Sequence, residues 1–283
     1  MAAARPCEIV SEAVTMLFVP GDRPERFGKA AATEADVIVV DLEDAVAPEA
    51  KAPALDAALT ALASGTQQSF RAIVRINVPG SPNHEAEIAA LTRLSLRSGH
   101  GLLGIMLPKA ESVREVQKLR QHLPEELALV PLIESAAGLV NSLEIARVPG
   151  VTRLGFGAID FALDMNTSDT GLLAQARFQL VLSSRAANIA PPLDSPSTEI
   201  RDLTPVAESA RTARKLGFGG MLCIHPRQVP VTQRAFMPDA AEILWAQSVT
   251  GVKGGAAQLD GQMIDRPVQE RAAKILQSAK QKQ

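Results

Sequence analysis

Short apolar runs, each followed by a polar turn and then a stretch with helical spacing, recur along the chain. The first is Thr15-Met16-Leu17-Phe18-Val19, which ends at Pro20-Gly21-Asp22-Arg23 and predicts a strand followed by a helix from about Glu25 to Ala35. The second, Val37-Ile38-Val39-Val40, has four consecutive apolar residues, as suits a strand covered on both faces. It runs directly into Asp41-Leu42-Glu43-Asp44. A helix from Lys51 to about Ala63 leads to Ala72-Ile73-Val74-Arg75-Ile76-Asn77, where Arg75 interrupts an otherwise apolar strand.

The same reading places a helix over 85–96, a fourth strand at Leu103-Gly104-Ile105-Met106-Leu107 ending at Pro108-Lys109, and a helix striped by Val113, Val116, Leu119 and Leu123. Leu129 to Ile133 and Thr152 to Phe156 are strands five and six, with a helix from Ala136 to Arg147 between them. A helix over 174–187, a weak seventh strand from Asn188 to Pro192 and a helix from Leu203 to Leu216 closed by Gly217 precede the eighth strand, Gly220 to Ile224, which ends at His225. About eight β-α repeats in one series predict a closed (β/α)8 TIM barrel, with its active site at the C-terminal ends of the strands. A doubly wound sheet also places polar residues at strand ends, but so many units in series favour closure.

The expected domain organisation is a loose leader over 1–14, a barrel over 15–238 and a C-terminal helical extension over 239–283. Within that extension a Gly/Ala linker over 251–257 follows a helix from Ala240 to Val249, and the extension can serve as a lid or as an arm on a neighbouring subunit. A chain of 283 residues with 46% hydrophobic content has ample material for one such barrel. A net charge of -2, no tyrosine and one tryptophan argue against a nucleic-acid surface. No apolar run approaches the roughly 18 residues that would span a bilayer. With only Cys7 and Cys223, a disulfide framework is not expected, and a reducing, cytoplasmic setting is.

Polar residues gather at the predicted strand ends. Glu134 and Asp160 follow strands five and six of one β-α-β unit, so in a parallel sheet with strands roughly 4.8 Å apart they can share one divalent cation. A hard ion such as Mg²⁺ suits two carboxylates, since it keeps open positions for water and substrate oxygens. Each also has a plainer reading, Glu134 as a helix cap and Asp160 as a loop acid. Arg23 is open to phosphate contact or loop tethering, and Lys109 to contact with a phosphate or pairing with the acidic cluster. His225 suits a role in locking the barrel rim, Asp44 the holding of a neighbouring amide, and Asp194 carries no assignment. Gly217-Phe218-Gly219-Gly220 precedes a strand, so it does not form a dinucleotide-type phosphate cradle.

The ordered stretches LFVPGDRPERF, VVDLEDAV, VRIN, LPKAES, PLIESAAGLVN, GFGAIDFALD and GFGGMLCIHPRQV, with GQMIDRP in the tail, resemble the citrate lyase β-subunit-like family of the HpcH/HpaI aldolase superfamily. The resemblance implies a Mg²⁺-dependent carbon-carbon lyase that cleaves or forms a 3-hydroxy-3-carboxyacyl-CoA, such as malyl-CoA, citramalyl-CoA or citryl-CoA, to acetyl-CoA and a 2-keto acid. It further implies Glu134 and Asp160 as metal ligands and Arg75 as the contact to substrate oxygens. By the same resemblance, Asp41, Glu43 and Asp44 match an acidic strand-end cluster near the metal with supporting roles, and Asp265 matches the acid that relatives place over the active site from the C-terminal segment, commonly that of a neighbouring subunit. A homo-oligomer, trimer or hexamer, with C-terminal arms crossing subunits is expected. The alternatives are malate synthase or malyl-CoA thioesterase chemistry at the same site, or a non-catalytic acyl-CoA-binding scaffold. One departure stands out: Pro53-Ala54-Leu55-Asp56 replaces the Ala-Arg usual in the family after the lysine matching Lys51, which puts that helix in question.

Overall fold

The computed structural model describes residues 4–63, 70–251, 257–259 and 262–280, and the chain divides into two compact units, Met1–Gln233 and Arg234–Gln283. In the first unit, eight parallel strands close into a barrel: β1 (Thr15–Pro20), β2 (Val37–Asp41), β3 (Ala72–Arg75), β4 (Leu102–Leu107), β5 (Ala128–Ile133), β6 (Arg153–Phe156), β7 (Ala190–Asp194) and β8 (Gly220–Cys223). The helices are α1 (Pro6–Glu12), α2 (Phe27–Ala31), α3 (Lys51–Leu62), α4 (His84–Ser95), α5 (Val113–Gln121), α6 (Ala136–Val140), α7 (Ser142–Ala146), α8 (Ala158–Asp164), α9 (Thr170–Ala186), α10 (Thr204–Leu216) and α11 (Gln228–Phe236), the last of which runs past the end of the unit. The (β/α)8 barrel expected from the apolar repeats is therefore the observed architecture.

Strand side chains alternate between two faces, and one column of each strand fills the barrel. Met16, Val37, Val39, Ile73, Met106, Ala128, Val130, Leu132, Leu193 and Leu222 form this interior core. β6 contributes space to it: a Cβ on Gly155 would lie 2.4 Å from Leu132 Cδ2, so only glycine lets Leu132 fill that layer.

The leader expected to be loose is helical over Pro6–Glu12 instead. Its residues form α1, and Val10 and Ala13 join the interior core, closing the N-terminal end of the barrel. Arg153 fastens this floor. Its guanidinium is fully buried and donates to the carbonyls of Val10 at 3.1 Å, Ala13 at 2.6 Å and Pro191 at 2.7 Å. Burial pushes the Arg153 pKa down to about 9, against the weaker opposing charge of Asp36, so the group stays protonated at neutral pH.

Other elements differ from expectation in extent. The helix expected over 25–35 is a 3-10 turn, Pro24–Arg26, followed by the short α2. The helix expected over 136–147 breaks at Asn141, whose side-chain amide donates to the carbonyl of Glu111. The seventh strand starts two residues later than predicted. Pro53 does not disturb α3, because it falls in the first turn, where a helix N–H has no partner within the helix.

The second unit contains α12 (Ala240–Gly251), an antiparallel pair of short strands, β9 (Ala257–Leu259) and β10 (Gln262–Ile264), and α13 (Arg266–Lys280). Ala246, Val249, Ile264 and Ala272 form its core, and the Arg271 guanidinium lies 5.0 Å from the centre of the Trp245 ring. The linker expected over 251–257 lies for the most part outside the described residues.

Removing the Arg153 side chain strands three carbonyls, those of the buried Val10 and Ala13 among them, so Arg153→Ala should lose on the order of 3 kcal/mol of unfolding free energy in urea. A loss within about 0.5 kcal/mol, the size of a neutral surface change, would show that the floor does not depend on it.

Candidate active site

Asp41 and Arg75 are register partners on the neighbouring strands β2 and β3. Arg75 Nε and Nη2 each donate to one oxygen of Asp41 at 2.7 Å, a two-pronged pair. Asp41 also accepts the backbone N–H groups of Glu43 at 2.9 Å and Ala45 at 3.1 Å, so one carboxylate both neutralises the arginine and shapes the loop that follows β2. From the other side, Lys51 Nζ donates to the carbonyls of Leu42 and Glu43, and Asn77 Nδ2 to that of Leu42. The Arg75 guanidinium lies 4.8 Å from the centre of the Phe18 ring. Burial alone would lower its pKa, but hydrogen bonding and charge from Asp41, with Glu43 and Glu134 beyond, hold it above its ordinary value and keep it charged.

Glu43 Oε2 lies 2.8 Å from Arg75 Nη1 yet off the donor direction, so it makes no hydrogen bond. Burial raises the Glu43 carboxyl to about 8 despite the arginine, with Asp44, Glu134 and Asp41 adding to the rise. It is therefore largely protonated at neutral pH.

Glu134 follows β5, where its Oε2 accepts the backbone N–H of Lys109 at 2.8 Å. Ile133 is paired in register with Phe156, which sets Glu134 beside Gly157. A Cβ on Gly157 would come within 2.4 Å of Glu134 Oε1, so the glycine makes room for that carboxylate. Burial pushes Glu134 up to about 7, with Asp160 among the charges that raise it further, and the Lys109 N–H and Arg75 oppose the rise. Asp160 sits in the first turn of α8. Glu134, Asp160, Arg75, Asp41 and Asp44 all line one cavity of about 370 Å³ at the C-terminal end of the barrel.

The other predicted residues land elsewhere. Lys109 reaches the site through its backbone, held at φ 46°, while its side chain is exposed and does not line the cavity. Arg23 is exposed, 4.0 Å from Asp22, and likewise outside the lining. Asp265 belongs to the second unit, where it accepts the N–H of Val268 at 3.2 Å and so caps α13. Asp194 accepts from Arg177 Nε at 2.9 Å and from the N–H of Ser195 at 2.8 Å.

Two supporting residues escaped the sequence reading because their bonds go to backbone. Ser195 Oγ accepts the N–H of Ala158 at 3.1 Å and so ties the end of β7 to the start of the helix carrying Asp160. Gln228, fully buried, donates to the carbonyls of Ser197 and Glu199 and accepts the N–H groups of Ile224 and His225. It braces the loops after β7 and β8 against each other.

The donor set suits a hard divalent cation. Asp160 is close enough to Glu134 to raise the cost of ionising that glutamate, a cost that a cation between them removes. Among the described residues no group of three or more His, Cys, Asp or Glu stands ready to hold a metal, so these two acids leave most of an oxygen-rich coordination shell to water or ligand.

Comparison with known proteins identifies the family. Residues 14–226, nearly the whole barrel, match the HpcH/HpaI aldolase/citrate lyase family. The chain belongs to that family. It is a lyase of the citrate lyase β-subunit-like type. A citrate lyase subunit beta-like protein of Mycobacterium tuberculosis is 35% identical over 93% of this chain and 94% of its own length. The L-malyl-CoA/beta-methylmalyl-CoA lyase of Cereibacter sphaeroides is 30% identical over 93% of both chains. Among solved structures, protein CitE of M. tuberculosis in complex with magnesium, acetoacetate and coenzyme A superposes with a TM-score of 0.82 at 32% identity, covering 95% of this chain and 98% of its own.

Two glutamates with raised pKa values set a pH dependence. Each favours the folded state when protonated, so the stability it contributes is present below about 4.5 and is lost as pH rises towards 7 for Glu134 and 8 for Glu43. The thermal midpoint of metal-free protein should therefore fall across that window, less so in Glu134→Gln, and magnesium should raise it more at pH 8 than at pH 5.5. An equal magnesium effect at both values would remove Glu134 as a ligand. In Gly157→Ala the crowded carboxylate must shift, so the magnesium-induced rise should disappear while the far-UV circular dichroism is unchanged.

Proposed function

We propose that this protein is a Mg²⁺-dependent lyase that breaks, or forms, the C2–C3 bond of a 3-hydroxy-3-carboxyacyl-CoA, giving acetyl-CoA and a 2-keto acid. The observation that carries the reading is the juxtaposition in one cavity of Glu134 and Asp160 with a permanently charged, carboxylate-anchored Arg75. The relatives support it: one is named for malyl-CoA, and others hold magnesium with coenzyme A, pyruvate or oxaloacetate.

Glu134 and Asp160 would hold the ion, which when bound supplies Lewis-acid polarisation and a template for oxygen ligands. The rest of the task falls to the chain. As the bond breaks, its electron pair moves onto the thioester carbonyl as an enolate, and Arg75 has donors left to meet that charge. Of its five N–H groups two are committed to Asp41, and its fixed position means that it need not reorganise as charge develops. The protonated Glu43 beside Arg75 keeps the wall from accumulating a further negative charge. The substrate hydroxyl must lose a proton, which passes to water, and the enolate carbon must gain one; Asp265 is the group proposed to deliver it and to be reprotonated from water, so no net proton is consumed.

The acid reaches the site on the C-terminal unit, in a homo-oligomer where that unit can serve a neighbouring barrel. Exposed Val140, Leu163, Phe178 and Leu182 on α6, α8 and α9 supply apolar surface of the kind subunit contacts cover. Arg23 and the Lys109 side chain, both exposed, remain available to CoA phosphates beyond the cavity.

With magnesium present, purified protein should release acetyl-CoA and a keto acid from at least one of malyl-, citramalyl- and citryl-CoA. Glu134→Gln and Asp160→Asn should reduce kcat/KM by 10³-fold or more, about 4 kcal/mol of transition-state stabilisation. Arg75→Lys should lower it about 100-fold, because lysine cannot reproduce the two-pronged pair with Asp41. Asp265→Asn should depress kcat with little change in KM. Release of free CoA and a hydroxy acid would instead identify a thioesterase, and tight CoA binding without turnover a scaffold.

A further inference from the structure

Glu87 is a buried carboxylate to which the proposed chemistry gives no task. It lies in the first turn of α4, outside the cavity lining, and both of its oxygens go to one residue. Oε2 accepts the backbone N–H of Asn77 at 2.7 Å, and Oε1 accepts Asn77 Nδ2 at 2.5 Å. Nδ2 also donates to the Leu42 carbonyl at 2.9 Å, and the His84 ring donates through Nδ1 to the Asn77 carbonyl at 2.7 Å. The first turn of α4 therefore holds Asn77 by both of its backbone groups. Burial raises the Glu87 carboxyl, and the two Asn77 donors and the charge of Lys51 oppose the rise.

Asn77 stands two residues beyond Arg75, and Leu42 directly follows Asp41 at the end of β2. The Leu42 N–H donates to the Arg75 carbonyl at 2.9 Å, so this residue is tied to Arg75 on one side and to Asn77 on the other. The loop beyond it supplies the N–H groups of Glu43 and Ala45 that orient the Asp41 carboxylate, which in turn holds Nε and Nη2 of Arg75. A continuous set of bonds thus runs from Glu87 to the guanidinium. We propose, resting on the lyase reading above, that Glu87 is a positioning residue for Arg75: through Asn77 and Leu42 it fixes the ends of β2 and β3, and with them the direction of the guanidinium's free donors. The demand on position 87 is specific. Asn77 presents it with two donors, and a carboxylate answers with two acceptors, whereas a carboxamide of the same size has one acceptor and one donor.

The test uses the full chain, where Glu87→Gln sets a donor against a donor and Glu87→Asp keeps two acceptors. With magnesium and a hydroxyacyl-CoA that the wild-type protein cleaves, Glu87→Gln should lower kcat about tenfold or more, with KM and the calorimetric magnesium Kd each within about threefold. Glu87→Asp should lie closer to wild type. In the Arg75→Lys background Glu87→Gln should cost less than about twofold, since the group it acts through is already gone. A merely structural tie predicts the full cost in both backgrounds. Wild-type kcat in folded Glu87→Gln, or an undiminished cost beside Arg75→Lys, overturns the proposal. Should Glu87→Gln not fold, Asn77→Ala, which keeps the backbone N–H and removes the branch to Leu42, takes its place in the same cycle. A readout independent of turnover is the Arg75 Nε–H resonance in isotope-labelled protein, identified by its loss in Arg75→Lys. Its exchange with water should quicken about tenfold or more in Glu87→Gln, while that of Arg177 Nε, bonded to Asp194 at 2.9 Å, stays as it was. Unchanged exchange at Arg75, or an equal rise at both arginines, overturns the proposal. If the wild-type protein cleaves no hydroxyacyl-CoA, the lyase reading falls, and the exchange rates decide the role of Glu87 by themselves.

Discussion

The pairing of Asp41 with Arg75 across the β2–β3 register is the interaction on which the rest of the site depends. A guanidinium on an inward strand position is tolerable only with a partner at its own level, and the parallel register supplies one. Asp41 then spends its remaining acceptor capacity on the N–H groups of Glu43 and Ala45. One carboxylate thus fixes the arginine, the loop and the position of Glu43. Lys51 and Asn77 hold the same loop by its carbonyls from outside, so its backbone is gripped from both sides.

The two-residue alternation of a strand links this site to the core beneath it. Val39 and Ile73 are interior core residues, and Asp41 and Arg75 are the next inward positions on the same strands. On β5 the column passes from Val130 through Leu132 to Glu134 in the same way. β6 answers with glycine at two successive inward levels, 155 and 157, which makes room for Leu132 and Glu134. The site is the top layer of the barrel packing, with charge substituted for hydrocarbon where the layer meets solvent.

This continuity explains what was legible beforehand. Apolar runs that end in acids or arginine mark strand ends directly, so Asp41, Arg75 and Glu134 could be placed from pattern alone, and Asp160 proved to be one turn into a helix. The floor was not legible: α1 is held by Arg153 through backbone carbonyls some 140 positions away in the chain, a contact with no local signature. Ser195 and Gln228 were missed for the same reason, since a side chain that bonds to backbone leaves no complementary residue to find. Lys109 was placed correctly along the chain, but its contribution is an N–H and a left-handed turn, which the identity of its side chain does not reveal.

The packed layer under the site also governs traffic. With Val39, Ile73, Val130 and Leu132 packed beneath it, the cavity is closed towards the barrel interior, so an incoming ligand and the water it displaces pass each other at the C-terminal end. On the proposed chemistry, a keto acid seated on Glu134 and Asp160 lies deeper than a thioester whose CoA portion extends outward. On that chemistry the small acid loads first when the bond is made and leaves last when it is broken, an order of events set by the packed layer beneath the site.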